Sequence, residues 1–505
     1  MKAIVLLMDS LNRRFTPPYF PEAVMPNLER LCSRSAVFDR HWTGSLPCMP
    51  ARRDIFTGRL EFLERGWGPL EPFDTDFISL LRSNSIYTRM ITDHYHYFEP
   101  AGVYYCQRFN SWEFVRGQEM DAWAGKAGPS PIVYPGTECY EAVTAQRKTA
   151  GKPDMYGVYS RQYELNRERF KKEGFPCERT FKLGCDWLDE NHSADNWFLM
   201  VEAFDPHEPF DCPDKYMEMF PDDYDGPDFM WSSYRHTEEP ADAVRRLRLN
   251  YLANLAYADS CLGKLLDKFD EYNLWDDTMI ILTADHGHMV GEHGFTGKIV
   301  MPVYNEVAHI PLYLHLPGNE YAGARVAEIS QNIDLFQTIL SHFGAKYNGA
   351  IHGGNLLTLL DGKKNRDYAL YGVFGENVNL TDGNFTYMRA HATQENTPLY
   401  CYTAVPSMNG GRMGNEKLFE TIEAGRFLPY TNHPVFKIPR QEVWLNGRYF
   451  DYCSVNRLFD LRTDYAQENN LAGGELEKKY EDILVNEMKR CGAPEEQYKR
   501  LGLVK

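Results

Sequence analysis

The sequence predicts an α/β fold: a large, mostly parallel central sheet flanked by helices, followed by a smaller C-terminal α+β domain. Three observations predict it. Residues 3–8, 197–203 and 278–284 are short, nearly continuous apolar runs, which suits strands buried on both faces. Helical patterns lie between these runs, as in a sheet wound with crossover helices. Each run stops at or just before an acid: Asp9, Asp205 and Asp285.

Residues 3–8 form the first strand. Residues 25–35 follow as a helix, with Pro26 tolerated in its first turn and Leu28, Leu31 and Cys32 on one face. Residues 97–196 are rich in aromatics and turns and show few periodic elements, so they predict insertions over the strand ends. Residues 197–203 form a second strand. Residues 250–269 form an amphipathic helix, with Leu252, Leu255, Ala256, Leu262, Leu265, Leu266 and Phe269 at helical spacing. Residues 278–284 form a third strand. Beyond about residue 370 the texture changes: 368–374, 385–389 and 400–404 suit short strands, and 476–488 suits a helix. The chain therefore divides into 1–370 and a smaller domain, 371–505. Ligands of such sheets gather at the carboxyl ends of the strands, so Asp9, Asp205 and Asp285 can converge although far apart in sequence. Any one of them alone reads more simply as a helix cap.

Composition narrows the partners. The chain has 505 residues, 43% hydrophobic and 25% charged, an ordinary globular balance. A net charge of -17 excludes nucleic acid as a general partner. It leaves room for an anionic substrate, because a small cleft can be locally positive through a metal ion and a few cations. No apolar run approaches the ~18 residues of a membrane span, so no membrane partner is expected. The run at 3–8 is too short for a signal peptide, which predicts a cytoplasmic location. Eleven cysteines, an odd number without a spacing framework, predict mostly reduced thiols.

The chemistry lies in an ordered set of segments. Cys48-x-Pro50-x-Arg52 is followed by Thr57-Gly58-Arg59. Around it stand Asp9, then Asp93-His94-Tyr95-His96, then Pro206-His207-Glu208-Pro209. Next comes Asp285-His286-Gly287, which runs through Gly291 to Gly294 and on to Lys298. Residues 458–464 and 469–472 close the set. Singly, each has a plain structural explanation: a free Cys is most often a buried core residue, a Lys is usually solvated, and a His before Glu-Pro is usually a loop residue. Their co-occurrence in this order, over nearly the whole chain, resembles the type I sulfatases of the alkaline-phosphatase-like superfamily. In that family the signature Cys is oxidised after translation to formylglycine.

The resemblance implies an enzyme: a sulfuric ester hydrolase that cleaves a sulfate monoester, with 1–370 as its catalytic domain. A cytoplasmic location favours a small sulfated carbohydrate as substrate. Cys48 would be converted by a formylglycine-generating maturase. Asp9, Cys48, Asp285 and His286 would hold one divalent metal, Ca²⁺ by family resemblance, which withdraws charge from the ester. Hydrated formylglycine would attack sulfur through one hydroxyl, and the other would allow release of sulfate. Arg52 would share a helix face with Cys48 and stabilise the hydrate and the metal ligands. The helix N-terminus would favour an anion. Lys298 would grip the sulfate, and His207 would protonate the departing alcohol. His96 matches a family histidine, and His94 and Asp205 would face the substrate. Residues 93–98 and 112–116, and Asp205 with Glu208, would wall the pocket; His288 and His293 stay outside the catalytic set.

Three departures shift the expectation. Ser10 stands where the family has a second acid. Asp285-His286 replaces an Asp-Asn or Asp-Gln pair, which moves the metal preference towards Mn²⁺ or Zn²⁺. His94 stands where a Lys is usual, so a fixed charge becomes titratable. These features, with Cys-x-Pro-Ala-Arg, also resemble phosphonate monoester and phosphodiester hydrolases of the same superfamily. A third alternative is a catalytically inactive sulfatase-like binding protein, which the loss of an acid at Ser10 favours and the retention of Cys48, Arg52, His207 and Lys298 opposes. The substrate's identity and the oligomeric state stay open.

Overall fold

The computed structural model describes residues 1–20, 24–99, 102–127, 155–226, 230–232, 234–406, 421–439 and 452–503. Lys2–Met8 sits at the centre of an eight-stranded sheet. It pairs in parallel with Trp197–Ala203 on one side and Thr278–Thr283 on the other. Tyr87–Thr92 and then Ser111–Phe114 extend the parallel set beyond Trp197–Ala203. On the opposite flank Leu312–His315 runs antiparallel, followed by Ala36–Phe38 and Arg325–Val326. The three apolar runs are thus adjacent strands, as their composition predicts.

The first strand shows why its sequence does not alternate. Ile4, Leu6 and Met8 enter one core, and Ala3, Val5 and Leu7 enter another on the opposite face. Helices cover both faces, so no position along the strand is free to be polar. Pro26–Ser33, Pro176–Asn191 and the long helix Ala241–Glu271 line the first face. Cys48–Thr57, Phe77–Ser83 and Asp334–His342 line the second.

Helices Met155–Glu173 and Pro176–Asn191 occupy part of the stretch that predicts few periodic elements. The second packs Cys177, Thr180, Phe181, Gly184, Cys185, Trp187 and Leu188 inward. Phe181, Trp187 and Leu188 give that face its apolar contrast, so the helical period is present in the sequence although the turns and aromatics before it obscure it. Residues 128–154 of the same stretch lie outside the described residues.

A second sheet of five strands follows, in the order Arg457–Asp460, Phe385–Arg389, Val378–Thr381, Ala369–Val373 and Ser45–Leu46. Its last member comes from the N-terminal third of the chain, directly before Cys48. The helix Glu475–Arg490 packs on this sheet through Tyr480, Leu484 and Met488. Tyr400–Thr403 belongs instead to a three-stranded sheet with Val435–Pro439 and Glu423–Gly425. Among the described residues no helix is long and apolar enough to cross a membrane. The ten described cysteines are all free.

Candidate active site

Four adjacent parallel strands deliver their carboxyl ends to one place. Asp9 follows Lys2–Met8 and is fixed by its N–H donating to the Ala203 carbonyl (3.0 Å). Asp285 and His286 follow Thr278–Thr283, Asp93 and His94 follow Tyr87–Thr92, and Asp205 follows Trp197–Ala203. Cys48 arrives from the second sheet as the first residue of the helix Cys48–Thr57. The turn before it is clamped: Asp54 accepts from both the N–H and the hydroxyl of Ser45, whose Oγ in turn accepts the N–H groups of Glu61 and Phe62.

Asp9, Cys48, Asp285 and His286 converge, each offering a ligand atom within 4.8 Å of the others, and all are buried. Arg52 ties the set together from one helical turn below Cys48. Its Nη2 donates to Asp9 (2.8 Å), its Nη1 to Asp285 (2.6 Å) and to the Cys48 carbonyl (3.0 Å), and its Nε to Glu202. A planar guanidinium can serve three carboxylates at once in this way. Ser10, with φ of +62°, donates its hydroxyl to Asp9 (3.0 Å) and its N–H to Asp285 (3.1 Å). The residue in place of a second acid therefore orients the two acids already present.

These residues fit a divalent cation. Nδ1 of His286 lies 2.9 Å from the Gly287 carbonyl, which can only accept, so Nδ1 carries the hydrogen. The lone pair of Nε2 then faces the cluster, 3.2 Å from Cys48 Sγ. A metal-binding histidine is commonly oriented by such a bond. Burial raises the Asp9 pKa, but Arg52, His207, Lys298 and His94 outweigh it and hold the carboxyl well below its usual range. Burial, reinforced by Asp9, pushes the Cys48 thiol well above its usual range.

A second group lies beside the first. Lys298 Nζ donates to Nε2 of His207, whose Nδ1 bonds the Glu208 carbonyl oxygen (2.6 Å). Burial works against the Lys298 charge, but Cys48, Glu208, Asp9 and Asp285 overcome it and keep the ammonium protonated. Burial and then Lys298 hold His207 well below its usual range, so the ring is neutral. Glu119, His207 and Glu208 place their polar atoms within 4.8 Å of one another. Tyr234 donates to Glu208 Oε1, and His288 Nδ1 lies 3.4 Å from Glu208 Oε2.

The remaining sequence candidates divide. His94 joins the site, with Nε2 3.3 Å from Asp9. His96 stands further out between Glu99 (2.8 Å) and Glu119 (3.7 Å). Asp205 turns away from the cluster to Gln118, whose Nε2 bridges it (2.9 Å) to Asp93 (3.1 Å). Trp112 lies on the edge strand, 40% exposed, against Phe98. His293 stacks on Tyr304 and lies outside the site.

Comparison with known proteins decides the family. The family model described as Sulfatase matches residues 2–345. The chain belongs to the sulfatase family. It is 27% identical to the multifunctional alkaline phosphatase superfamily protein PehA of Trinickia caryophylli, over 72% of this chain and 78% of that protein. Its fold is similar to that of the phosphonate monoester hydrolase of Agrobacterium radiobacter, with a TM-score of 0.63, 16% identity and coverage of 97% and 96%. It is also similar to a protein solved with its substrate D-glucosamine-2-N,6-O-disulfate, with a TM-score of 0.64, 15% identity and coverage of 98% and 99%. The family is one of sulfuric ester hydrolases, and this member is an enzyme of that class.

Sequence reasoning missed Glu202, Glu119 and Gln118. Glu202 is an acid inside an otherwise apolar strand, one residue from its end. A buried charge must be paired, so its place in such a run was a usable signal that a cation faces it. Glu119 and Gln118 stand in no motif, and His288 gave no signal beyond its neighbourhood to His286.

Proposed function

We propose that this protein hydrolyses a sulfate monoester of a small carbohydrate, releasing inorganic sulfate and an alcohol, with formylglycine made from Cys48 by a maturase. The carrying observation is the convergence of Asp9, Cys48, Asp285 and His286 on one buried point beside the Lys298–His207 pair. One divalent metal would be held by those four positions and would polarise a sulfate oxygen. Formylglycine supplies a hydroxyl nucleophile in place of a thiol.

The chain's own groups account for the rest. Lys298, kept charged, donates to a sulfate oxygen and screens its charge from Glu208. As the nucleophile's oxygen bonds sulfur, the S–O bond to the sugar breaks, and the alcohol oxygen takes a proton from the Lys298 ammonium, which the neutral ring of His207 holds through Nε2. Arg52 holds Asp9 and Asp285 in register and keeps Cys48 at the head of its helix. Glu202 offsets the Arg52 charge. The complex of a fold relative with a sulfated glucosamine supports a saccharide substrate.

A second reaction is favoured by one specific feature. His286 stands where a hard oxygen ligand is expected, and the phosphonate monoester hydrolase shares the fold. The test is the ratio of kcat/KM on an aryl sulfate to that on the matching aryl phosphonate monoester. It is run on protein whose position 48 has been shown by mass spectrometry to have lost about 18 Da, the change from thiol to aldehyde. A ratio above one supports the sulfatase; a ratio below one assigns the phosphonate chemistry. Absence of the mass change after co-expression with a maturase removes the formylglycine mechanism.

A further inference from the structure

Beside the Lys298–His207 pair the structure leaves acceptors weakly satisfied. Oε2 of Glu208 makes only long contacts, with Nδ1 of His207 (3.3 Å), Nδ1 of His288 (3.4 Å) and Lys298 Nζ (3.9 Å); Oε2 of Glu119 has only Nε2 of His96 at 3.7 Å, and Nε2 of His288 makes no hydrogen bond. All three side chains are buried. Buried polar atoms are normally paired, so such a group points to something that arrives with the substrate. His288 is fully buried, and its Nδ1 is directed at Glu208 Oε2.

Charge sharpens the demand. The cations in contact with the two groups are Arg52 and Lys298. They face Asp9, Asp285, Glu202, Glu208 and Glu119. Acidic side chains thus outnumber the permanent cations around the two groups. Side-chain exposure rises from 1% at Glu208 through 8% at Glu119 to 39% at Glu99, with His96 standing between the last two. Acids beside the Lys298–His207 pair favour a positive charge on the part of the substrate that trails the sulfate.

We propose that Glu119 and Glu208, with His288, form a subsite for an ammonium group, so that the preferred substrate is a zwitterionic sulfate ester. This inference rests on the sulfatase function proposed above. The carboxylates accept from the ammonium, and neutral His288 accepts a further N–H. Because Glu119, Glu208 and His207 lie within 4.8 Å of one another, the amine is separated from the ester oxygen by only a few bonds.

The test compares kcat/KM on 2-aminoethyl sulfate and on D-glucosamine 6-sulfate with their N-acetyl counterparts. The wild-type enzyme carries converted Cys48 and is first shown to turn over an aryl sulfate. At least one amine is expected to exceed its N-acetyl form by about tenfold or more. Glu119→Gln is expected to abolish that ratio, and Glu208→Gln to reduce it. Ratios are taken on one preparation, so partial misfolding does not affect them. Equal rates within both pairs, or an unchanged ratio in Glu119→Gln, overturn the subsite. A second equivalent of Mn²⁺ in metal analysis, lost in Glu119→Gln, also overturns it by assigning the acids to a metal. Failure on the aryl sulfate itself instead removes the sulfatase function.

Discussion

Two groups of buried polar side chains meet at position 48, and they differ in how completely the protein satisfies them. In the first, the oxygens of Asp9 and Asp285 are paired with Arg52, Ser10 or a backbone N–H. In the second, Glu208, Glu119 and His288 keep unpaired atoms of comparable burial. Paired carboxylates resist rearrangement, because moving one partner strands another in a low dielectric; His94 beside Asp9 is the exception in the first group, its ring nitrogens making no hydrogen bond. In the proposed function the first group serves the attack on sulfur and the second the grip on the remainder of the substrate.

The largest effects should come from the paired side. Cys48→Ala removes the nucleophile and is expected to lower kcat by about 10⁴-fold or more with the melting temperature unchanged. Residual turnover near wild type would show that position 48 is not the attacking group. Arg52→Met strands Asp9, Asp285 and Glu202 together. A loss of about 3–5 kcal/mol in denaturant unfolding is expected, and Arg52→Lys should recover little of it, because an ammonium cannot reproduce the three-way fork. If Arg52→Met is as stable as wild type, the first group is not the rigid unit described above.

Intermediate effects fall on the boundary between the groups. His207→Gln is expected to lower kcat on alkyl sulfates by about 10²–10⁴-fold. On 4-nitrophenyl sulfate the loss should be under about tenfold, because nitrophenolate departs without a proton. Equal losses on both substrates would show that the Lys298–His207 pair does not deliver the proton to the leaving group.

The same contrast decides how much could be seen in the sequence. Asp9, Cys48, Arg52, Asp285 and His286 were legible through the ordered segments that resemble the sulfatases; strand-end placement allowed the acids to converge, and four residues of helix set Arg52 beneath Cys48. That the main sheet is mostly parallel followed from the apolar runs. Less legible was the unpaired side: Glu119 and Gln118 sit in irregular chain, where no periodicity predicts where a side chain points. Asp205 ends a strand as Asp9 does, yet it is bonded to Gln118, which no sequence pattern announced. Helix Pro176–Asn191 carries an apolar face with Phe181, Trp187 and Leu188, and the turn- and aromatic-rich stretch before it obscured that period.

The smallest expected effect separates the groups by pH. Burial raises the Glu208 carboxyl from 4.5 to about 7, against the pull of Lys298. The folded chain therefore holds a proton that the unfolded chain releases above pH 4.5, so this residue makes stability fall as pH rises from about 4.5 to about 7. Asp9 acts with the opposite sign: its carboxyl is held below 3.8, and its contribution is lost only as pH falls through that depressed value. In chelator-treated protein, Glu208→Gln should flatten the unfolding free energy between pH 4.5 and 7 by about 1 kcal/mol or more and leave the acid limb below pH 4 unchanged. Asp9→Asn should do the reverse. If Glu208→Gln leaves the slope near pH 6 intact, the carboxylate is satisfied in the folded chain, and the contrast between the two groups is lost with it.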